Sequence, residues 1–413
     1  MTSGSDGEHG SDAEHLEPSR PHTSSEQVLY SLPVPLDKIQ ELAQYRTALR
    51  RFSTLGEAAQ LRLMVDDVEQ VQALQSYAAN HSEKPWSIFV KVESGNRRAG
   101  IHPESSALRH FLETVRDECP LVSVFGFYTH AGNSYGSRSI DDAEVWLTQE
   151  IEAANKAALV AAEILSGAPR HQQPFVLSVG STPTAHAAHQ FVATKKALAS
   201  LRGGQVELHA GNYPFLDLQQ VATNAVPSTE TPSCCSDESQ PQGTAMANVA
   251  FSLLATVIAQ YPGRAVEAGP KAGDGEWAED GKGRHGDEAM CDAGGIALSR
   301  DVGPFGGLGH VVEPRYLYGW EVNRVSQEHG VLSVRAGDPA RWATEWTHYC
   351  ESGRSTNADL VFPSRLHLGE RLRIVPQHAC LTAAQYPWYY VVDSRDESKG
   401  QTVTDVWVPW KFW

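Results

Sequence analysis

Short apolar segments alternate with amphipathic helical segments through the first half of the chain. Six of the apolar segments have the length of strands, and they lie at residues 28–33, 61–66, 87–92, 122–127, 175–180 and 206–211. Helical patterns, such as those at 37–52 and 142–166, separate them. Strands that alternate with helices in this way predict parallel βα units, and their repetition predicts an α/β fold, either a barrel or a doubly wound sheet.

Polar and glycine residues follow four successive predicted strands, at 93–95, 128–133, 181–184 and 211–213. In a (βα)8 barrel the carboxyl ends of the strands form the active-site face, whereas a doubly wound sheet binds ligands at a switch point. Functional groups at four successive strand ends favour the barrel. A closed barrel needs eight units and the pattern contains six, so we predict a (βα)8-type barrel that lacks its first two strands.

Beyond Cys291 the pattern changes to strands without intervening helices. Turn residues separate β-branched or aromatic segments at 296–298, 316–322, 331–334, 372–375, 389–392 and 403–408. We therefore predict a C-terminal β domain over 291–413, after a partial barrel over 28–224. Composition predicts a disordered tail at 1–27, and a loop with a disordered insertion at 225–290 that contains one apolar segment near 246–260.

Composition and charge narrow the range of partners. The 413 residues carry a net charge of −16, which disfavours nucleic acid and anionic membranes. No run of about 18 apolar residues is present, and the N-terminus lacks the pattern of a signal peptide. The six cysteines are scattered, so we expect free thiols in a reducing compartment and a cytoplasmic location.

His378 and Cys380 are two soft metal ligands one residue apart. In an extended strand, residues i and i+2 point to the same side, so the imidazole and the thiolate could bind one ion. A nitrogen and sulfur pair suits zinc better than a hard cation. Taken alone the pair is weak evidence, because two such residues are more often unrelated.

Eight segments occur in the order of one known family. They read LYSLPVP (29–35), KVESGNRRAG (91–100), YTHAGNSY (128–135), SVGSTPT (178–184), ELHAGNY (207–213), DAG (292–294), SQEHG (326–330) and PQHAC (376–380). Together they resemble the eukaryotic-type D-serine dehydratases, which are alanine racemase-like, fold-type III enzymes. The resemblance implies a lyase that depends on pyridoxal phosphate and zinc and converts D-serine to pyruvate and ammonia. It also implies a D-amino acid substrate and a homodimer.

The same resemblance implies that particular residues bind the metal and the cofactor. His378 and Cys380 correspond to the zinc ligands, Tyr128, Tyr135 and Thr182 to cofactor contacts, and Gly211 and Asn212 to phosphate binders. Arg98 lies in a segment that is close to the cofactor in the family. Without the family context, the tyrosines would be ordinary core or rim aromatics, and Thr182 and Gly211-Asn212 would be ordinary turn residues.

The chain departs from the family where the Schiff-base lysine belongs. That lysine lies in a segment resembling Arg-Pro-His-x-Lys-Thr-His-Lys, whereas this chain reads RPHTSS at 20–25 and matches the third family strand from Val28. The catalytic lysine is therefore absent, and the activity of the chain as written is open. The alternatives are a D-threonine aldolase-like lyase and a non-catalytic remnant. Lys91 could point inward but lies outside the family's Schiff-base segment.

Overall fold

The structure is a computed structural model with two structural units. It describes residues 27–53, 56, 60–168, 170–171, 174–188, 192–226, 248–264, 279–335, 363–393, 395–396, 398 and 400–409. The predicted tail up to residue 26, the loop at 227–247 and most of the predicted insertion, at 265–278, lie outside these ranges. In the described part of the chain, no helix combines the length and the apolar character needed to cross a membrane.

The first unit is a parallel sheet of six strands that lie side by side in chain order. The strands are β1 (Gln27–Pro33), β2 (Gln60–Val65), β3 (Trp86–Lys91), β4 (Val122–Tyr128), β5 (Phe175–Val179) and β6 (Gly204–Leu208). This arrangement confirms the six βα units predicted from the hydrophobic pattern. It also confirms the α/β fold class of the first half of the chain.

In the described part of this region, seven α-helices connect or follow these strands. They are α1 (Ile39–Phe52), α2 (Val68–Asn80), α3 (Ser106–Glu118), α4 (Ile140–Ile164), α5 (Thr182–Ala187), α6 (Val192–Ala199) and α7 (Leu218–Ala222). Asp67, Ser105, Ser139 and Ser181 begin four of them, and each side chain accepts a hydrogen bond from a first-turn N–H group. These caps explain where the helices begin, since the first N–H groups of a helix have no partner within it.

The two faces of the sheet differ in chemistry because strand residues alternate between them. Ile88 and Val90 of β3 belong to the core beneath the helices, together with the matching residues of the neighbouring strands. Phe89 and Lys91 lie on the other face, where Phe89 contacts the ring of Tyr128 edge-on. Polar and aromatic side chains therefore gather on the face without helices, at the carboxyl ends of the strands.

Both edges of the sheet are open among the described residues. The sheet ends at β1 on one side and at β6 on the other, without pairing between the two. Leu32 in β1 is 50% exposed and Leu208 in β6 is 47% exposed. Open edges with exposed apolar side chains agree with the prediction of a barrel that lacks two strands.

The second unit is a closed antiparallel barrel with strand order β10-β11-β8-β7-β12-β9. Its strands are β7 (Leu253–Tyr261), β8 (Glu288–Cys291), β9 (Gly309–Glu313), β10 (Trp320–Val325), β11 (Gly330–Val334) and β12 (Arg371–Pro376). A short helix, α8 (Ala379–Ala383), and a ribbon of β13 (Tyr389–Val392) and β14 (Val403–Trp407) follow. Trp320, Leu332 and Leu372 pack inside the barrel.

Several local predictions differ from the structure, among them the following three. Strand β1 begins at Gln27, within the predicted tail, and β8 lies within the predicted disordered insertion. The carboxylate of Asp287 orders the approach to β8 by accepting hydrogen bonds from the N–H groups of Gly263 and Arg284. The predicted strand at 296–298 is a turn, in which the N–H group of Leu298 donates to the carbonyl of Gly294.

Candidate functional site

Aromatic side chains form a stack where strands β4 and β6 end. The rings of Tyr128 and His209 lie 4.2 Å apart, centroid to centroid, and are nearly parallel at 11°. The ring of His130 lies 6.2 Å from that of His209 and 6.1 Å from that of Tyr135. His130 also shares a 3.0 Å hydrogen bond between its Nδ1 and the carbonyl of Gly180. The predicted cofactor-contacting tyrosines are thus brought together at the carboxyl ends of the strands.

Burial keeps the two histidines of this stack neutral near pH 7. Burial, with Arg98 and Lys91 nearby, lowers the pKa of His130 to about 4. Burial, with His130 and Lys91 nearby, lowers the pKa of His209 to about 3. Ser178 Oγ is 3.1 Å from His209 Nδ1, while His209 Nε2 is buried without a hydrogen-bond partner among the described residues. A neutral imidazole with one unpaired nitrogen can either donate or accept a hydrogen bond there.

Lys91 ends strand β3 beneath this stack. Its side chain is only 6% exposed, and its Nζ lies 5.7 Å from the centroid of the Tyr128 ring. The ammonium donates one 3.1 Å hydrogen bond to the carbonyl of Val92. Burial, reinforced by the neighbouring charge of Arg98, lowers the pKa of Lys91 to about 8. A buried amine with a lowered pKa is a common feature of functional sites.

Glu150 of α4 forms hydrogen bonds to the loops that follow β4 and β5. Its Oε1 accepts hydrogen bonds from the N–H groups of Ala131 at 2.7 Å and Gly180 at 3.2 Å. Its Oε2 accepts from Thr184 Oγ1 at 3.0 Å. Burial raises the pKa of Glu150 to about 7, although these hydrogen bonds and Lys91 act in the opposite direction. The carboxyl group therefore positions the loops that follow β4 and β5.

Replacing Glu150 with glutamine should stabilise the protein at pH 8 but not at pH 4.5. The amide keeps an oxygen for the two N–H groups, and it removes the cost of ionising a buried carboxyl. Because the pKa of Glu150 rises from 4.5 to about 7 on folding, the wild type loses stability across that interval. The expected gap is on the order of 3 kcal/mol above pH 7. Thermal melting of both proteins from pH 4.5 to 8 tests this, and a gap that does not change with pH would contradict it.

Thr182 and Asn212 are joined directly. The N–H group of Asn212 donates to Thr182 Oγ1 at 3.0 Å, and its Nδ2 donates to Asp217 Oδ2 at 2.5 Å. Asn212 Oδ1 is buried and has no partner among the described residues. Neighbouring Gly211 is exposed, and a Cβ added there would meet nothing within 4 Å. The unpaired oxygen of Asn212 can accept a hydrogen bond from a donor, while the space at Gly211 is open.

Asp217 links this loop to the predicted metal pair. The side chain is fully buried and precedes α7, where it accepts a 2.8 Å hydrogen bond from the N–H group of Gln220. Its Oδ2 also accepts a 2.7 Å hydrogen bond from the N–H group of Ala379, between His378 and Cys380. Burial raises the pKa of Asp217, and the three hydrogen bonds that it accepts oppose that rise. One carboxylate thus joins the predicted cofactor loop to the predicted metal turn.

The extended geometry expected for His378 and Cys380 is wrong. Strand β12 ends at Pro376, His378 is the N-cap of α8, and Cys380 lies in the first turn of that helix. The helix begins here because the turn is held by Asp217 at the N–H group of Ala379. The first turn of a helix, and not an extended strand, therefore determines how the side chains of His378 and Cys380 are oriented relative to each other.

Asp301 fixes the imidazole of His378. Its Oδ2 lies 2.5 Å from His378 Nδ1, which leaves Nε2 as the ring nitrogen available to a metal ion. A carboxylate on the second nitrogen of a histidine is the usual arrangement around metal-binding histidines. Cys380 is exposed. Within the described residues, no cluster of three or more His, Cys, Asp or Glu side chains is arranged to bind a metal ion.

Two family models match the chain. The alanine racemase N-terminal domain matches residues 38–204, and the putative serine dehydratase domain matches residues 250–392. The D-serine dehydratase of Schizosaccharomyces pombe is 35% identical over 94% of this chain and 74% of its own length. The Saccharomyces cerevisiae enzyme of the same name is 31% identical over 85% and 69%. This chain belongs to the D-serine dehydratase family. The family consists of lyases that depend on pyridoxal phosphate and have the alanine racemase-like fold.

A solved structure agrees with this assignment. The D-threo-3-hydroxyaspartate dehydratase of a Delftia species is 26% identical, with a TM-score of 0.57 over 93% of this chain and 79% of that one. One variant of that enzyme carries alanine in place of a histidine. Another variant carries alanine in place of the cysteine two positions later. The solved structure of the cysteine variant is of its metal-free form.

The sequence did not indicate four residues that organise the site: His209, Glu150, Asp217 and Asp301. His209 lies inside a family-like segment, ELHAGNY, and that segment was the available signal. Glu150 lies within a helical pattern rich in Ala, Glu and Leu, where acidic residues are usually solvated. Asp217 and Asp301 precede or lie in turns, where aspartate is common for reasons unrelated to a site.

Proposed function

We propose that the protein converts D-serine to pyruvate and ammonia, with pyridoxal phosphate at the carboxyl ends of the parallel strands and zinc at His378 and Cys380. Identity of 35% over nearly the whole chain to a D-serine dehydratase supports the reaction. The observation that carries the proposal is that Asp217 accepts hydrogen bonds from both Asn212 Nδ2 and the N–H group of Ala379. Through them, the predicted cofactor loop and the predicted metal turn lie next to each other.

The residues at the strand ends fit a small polar cofactor. His209 Nε2, Asn212 Oδ1 and Thr129 Oγ1 are all buried without partners among the described residues, although unpaired buried polar atoms are costly. A bound group with its own donors and acceptors would satisfy them. The open space at Gly211 leaves room for backbone contact with a phosphate.

Pyridoxal phosphate would supply an electron sink for the α-carbon of an amino acid. The stacked rings of Tyr128 and His209 provide an aromatic contact at the strand ends. His209, held neutral by burial, can hold a proton or accept one at Nε2. Glu150 holds the backbone on either side of these residues through Ala131 and Gly180.

The donor set of the second site fits zinc. Imidazole nitrogen and thiolate sulfur suit this ion, and two protein ligands leave positions for substrate and water. Zinc would supply Lewis-acid assistance to a hydroxyl leaving group. Asp301 holds the imidazole in place, and Asp217 holds the intervening peptide. The histidine and cysteine replaced in the Delftia variants have the same spacing, which supports a metal at this pair.

Assays on the purified chain test the proposal. With added pyridoxal phosphate and zinc, D-serine should yield pyruvate and ammonia in equal amounts, L-serine should not react, and a chelator should abolish the reaction until zinc is restored. D-threo-3-hydroxyaspartate serves as a second substrate, because a relative named for it is 30% identical. Glycine and an aldehyde from D-threonine would instead indicate an aldolase, and no turnover of any substrate would indicate a non-catalytic remnant.

A further inference from the structure

The family's lysine is absent from this sequence, yet a buried amine lies at the proposed cofactor site. Among the lysines whose exposure the structure describes, Lys91 is buried and the others are not. It ends the third of six parallel strands, on the face that carries Tyr128 and His209. A buried lysine needs a reason, since taking an ammonium out of water is costly unless it is paired. Its one hydrogen bond is to a backbone carbonyl, and it forms no ion pair with a carboxylate of the described residues.

We propose that Lys91 is the amine that binds pyridoxal phosphate covalently in this chain, a role that rests on the proposed function. In the reaction, Nζ in its neutral form attacks the aldehyde carbon of the cofactor. A carbon–nitrogen double bond forms, and the aldehyde oxygen leaves as water with two protons from the amine. The step needs no oxidant or reductant.

The surroundings of Lys91 suit this reaction. The attacking species must be the free amine, and a pKa of about 8 makes about half of it neutral at pH 8. Arg98 favours the neutral form, whereas Glu150, Glu93 and Asp66 favour the charged form. Near the amine, the rings of Tyr128 and His209 stack face to face, and such aromatic rings suit contact with an aromatic cofactor.

Packing restricts where the amine can go. A Cβ added at Gly100 would come within 3.1 Å of Lys91 Cγ and 2.7 Å of the Glu93 nitrogen, so the backbone of Gly100 closes over the stem of the lysine. Gly100 is held there by a 2.9 Å hydrogen bond from its N–H group to Asp66 Oδ2. The lysine stem is thus confined at its base, and the amine lies beneath the aromatic rings.

Reductive trapping tests the inference. The intact chain is incubated with pyridoxal phosphate, treated with borohydride and digested, and the modified peptide is identified by mass spectrometry. Saturable incorporation of about one equivalent at Lys91 is expected, with loss of that incorporation in Lys91→Met. The control, Lys156→Met, changes an exposed lysine that pairs with Glu104 and should leave incorporation at Lys91 unchanged.

The outcomes separate this inference from the proposed function. Saturable binding of pyridoxal phosphate by equilibrium dialysis, with adducts at other lysines or at none, would overturn the role of Lys91 and leave the cofactor proposal standing. Absence of saturable binding would overturn both. Peptide mapping uses the unsubstituted chain, so it decides the question even if Lys91→Met fails to fold. For the variant, a circular dichroism spectrum that matches the wild type shows that lost labelling reflects the missing amine.

Discussion

Replacing Cys380 with alanine should weaken zinc binding by more than about 100-fold and abolish zinc-dependent turnover. Loss of a residue that only orients a ligand typically costs 10–100-fold in metal affinity, and Cys380 is itself one of two proposed protein ligands. Because Cys380 is exposed at the first turn of α8, its removal leaves no buried cavity. Chelator competition on the purified variant measures the affinity, and circular dichroism confirms that the fold is retained.

Two further variants provide reference values for the zinc affinity of Cys380→Ala. Leu381→Ala changes an exposed neighbour in the same helix and should leave zinc affinity unchanged. Asp301→Asn removes the carboxylate that faces His378 Nδ1 and should weaken zinc by about 10–100-fold. If Cys380→Ala bound zinc as tightly as Leu381→Ala does, the ion would have to be held elsewhere and the proposed site would be wrong.

Replacing Asp217 with alanine should lower the free energy of unfolding by about 3 kcal/mol or more. The change leaves Asn212 Nδ2 and the N–H groups of Gln220 and Ala379 buried without an acceptor, and each such group costs about 1–3 kcal/mol. Urea denaturation measures the loss. Asp217→Asn keeps one acceptor oxygen and should lose less.

An effect on zinc affinity would distinguish Asp217 from a buried residue that only stabilises the fold. Since Asp217 holds the peptide between His378 and Cys380, zinc affinity should fall in Asp217→Asn even where the variant is fully folded. Asp117→Ala removes an exposed carboxylate that pairs with the adjacent Arg116, and should change neither stability nor zinc affinity appreciably. Unchanged stability in Asp217→Ala would contradict the network described around this carboxylate.

The hydrophobic pattern predicted the parallel sheet well because strands buried on one face and helices with an apolar stripe leave strong periodic signals. All six strands lie within two residues of their predicted starts. The second half was less predictable. The segment at 296–298 looks like a strand, yet the carbonyl of Gly294 closes a turn there, because a three-residue apolar run does not determine its own pairing.

The candidate site was predictable only where a motif carried it. Tyr128, Thr182 and His378 lie in segments that resemble a family, and the structure places them at strand ends or at a helix start. Glu150 and Asp217 act through the backbone N–H groups that they accept from, in loops distant along the chain. Such partners are set by tertiary contacts, and one sequence does not record them.

The strand order of the second unit has a consequence for the time course of folding. Every pairing in the parallel sheet joins strands that are neighbours in the chain. The closed barrel, by contrast, pairs Leu253 of β7 with Ile374 of β12, across more than a hundred residues. Because contacts between distant residues cost more chain entropy before they stabilise the fold, we expect the barrel to close late. His378 and Cys380 follow β12 directly, so metal capture during refolding would mark one of the last steps.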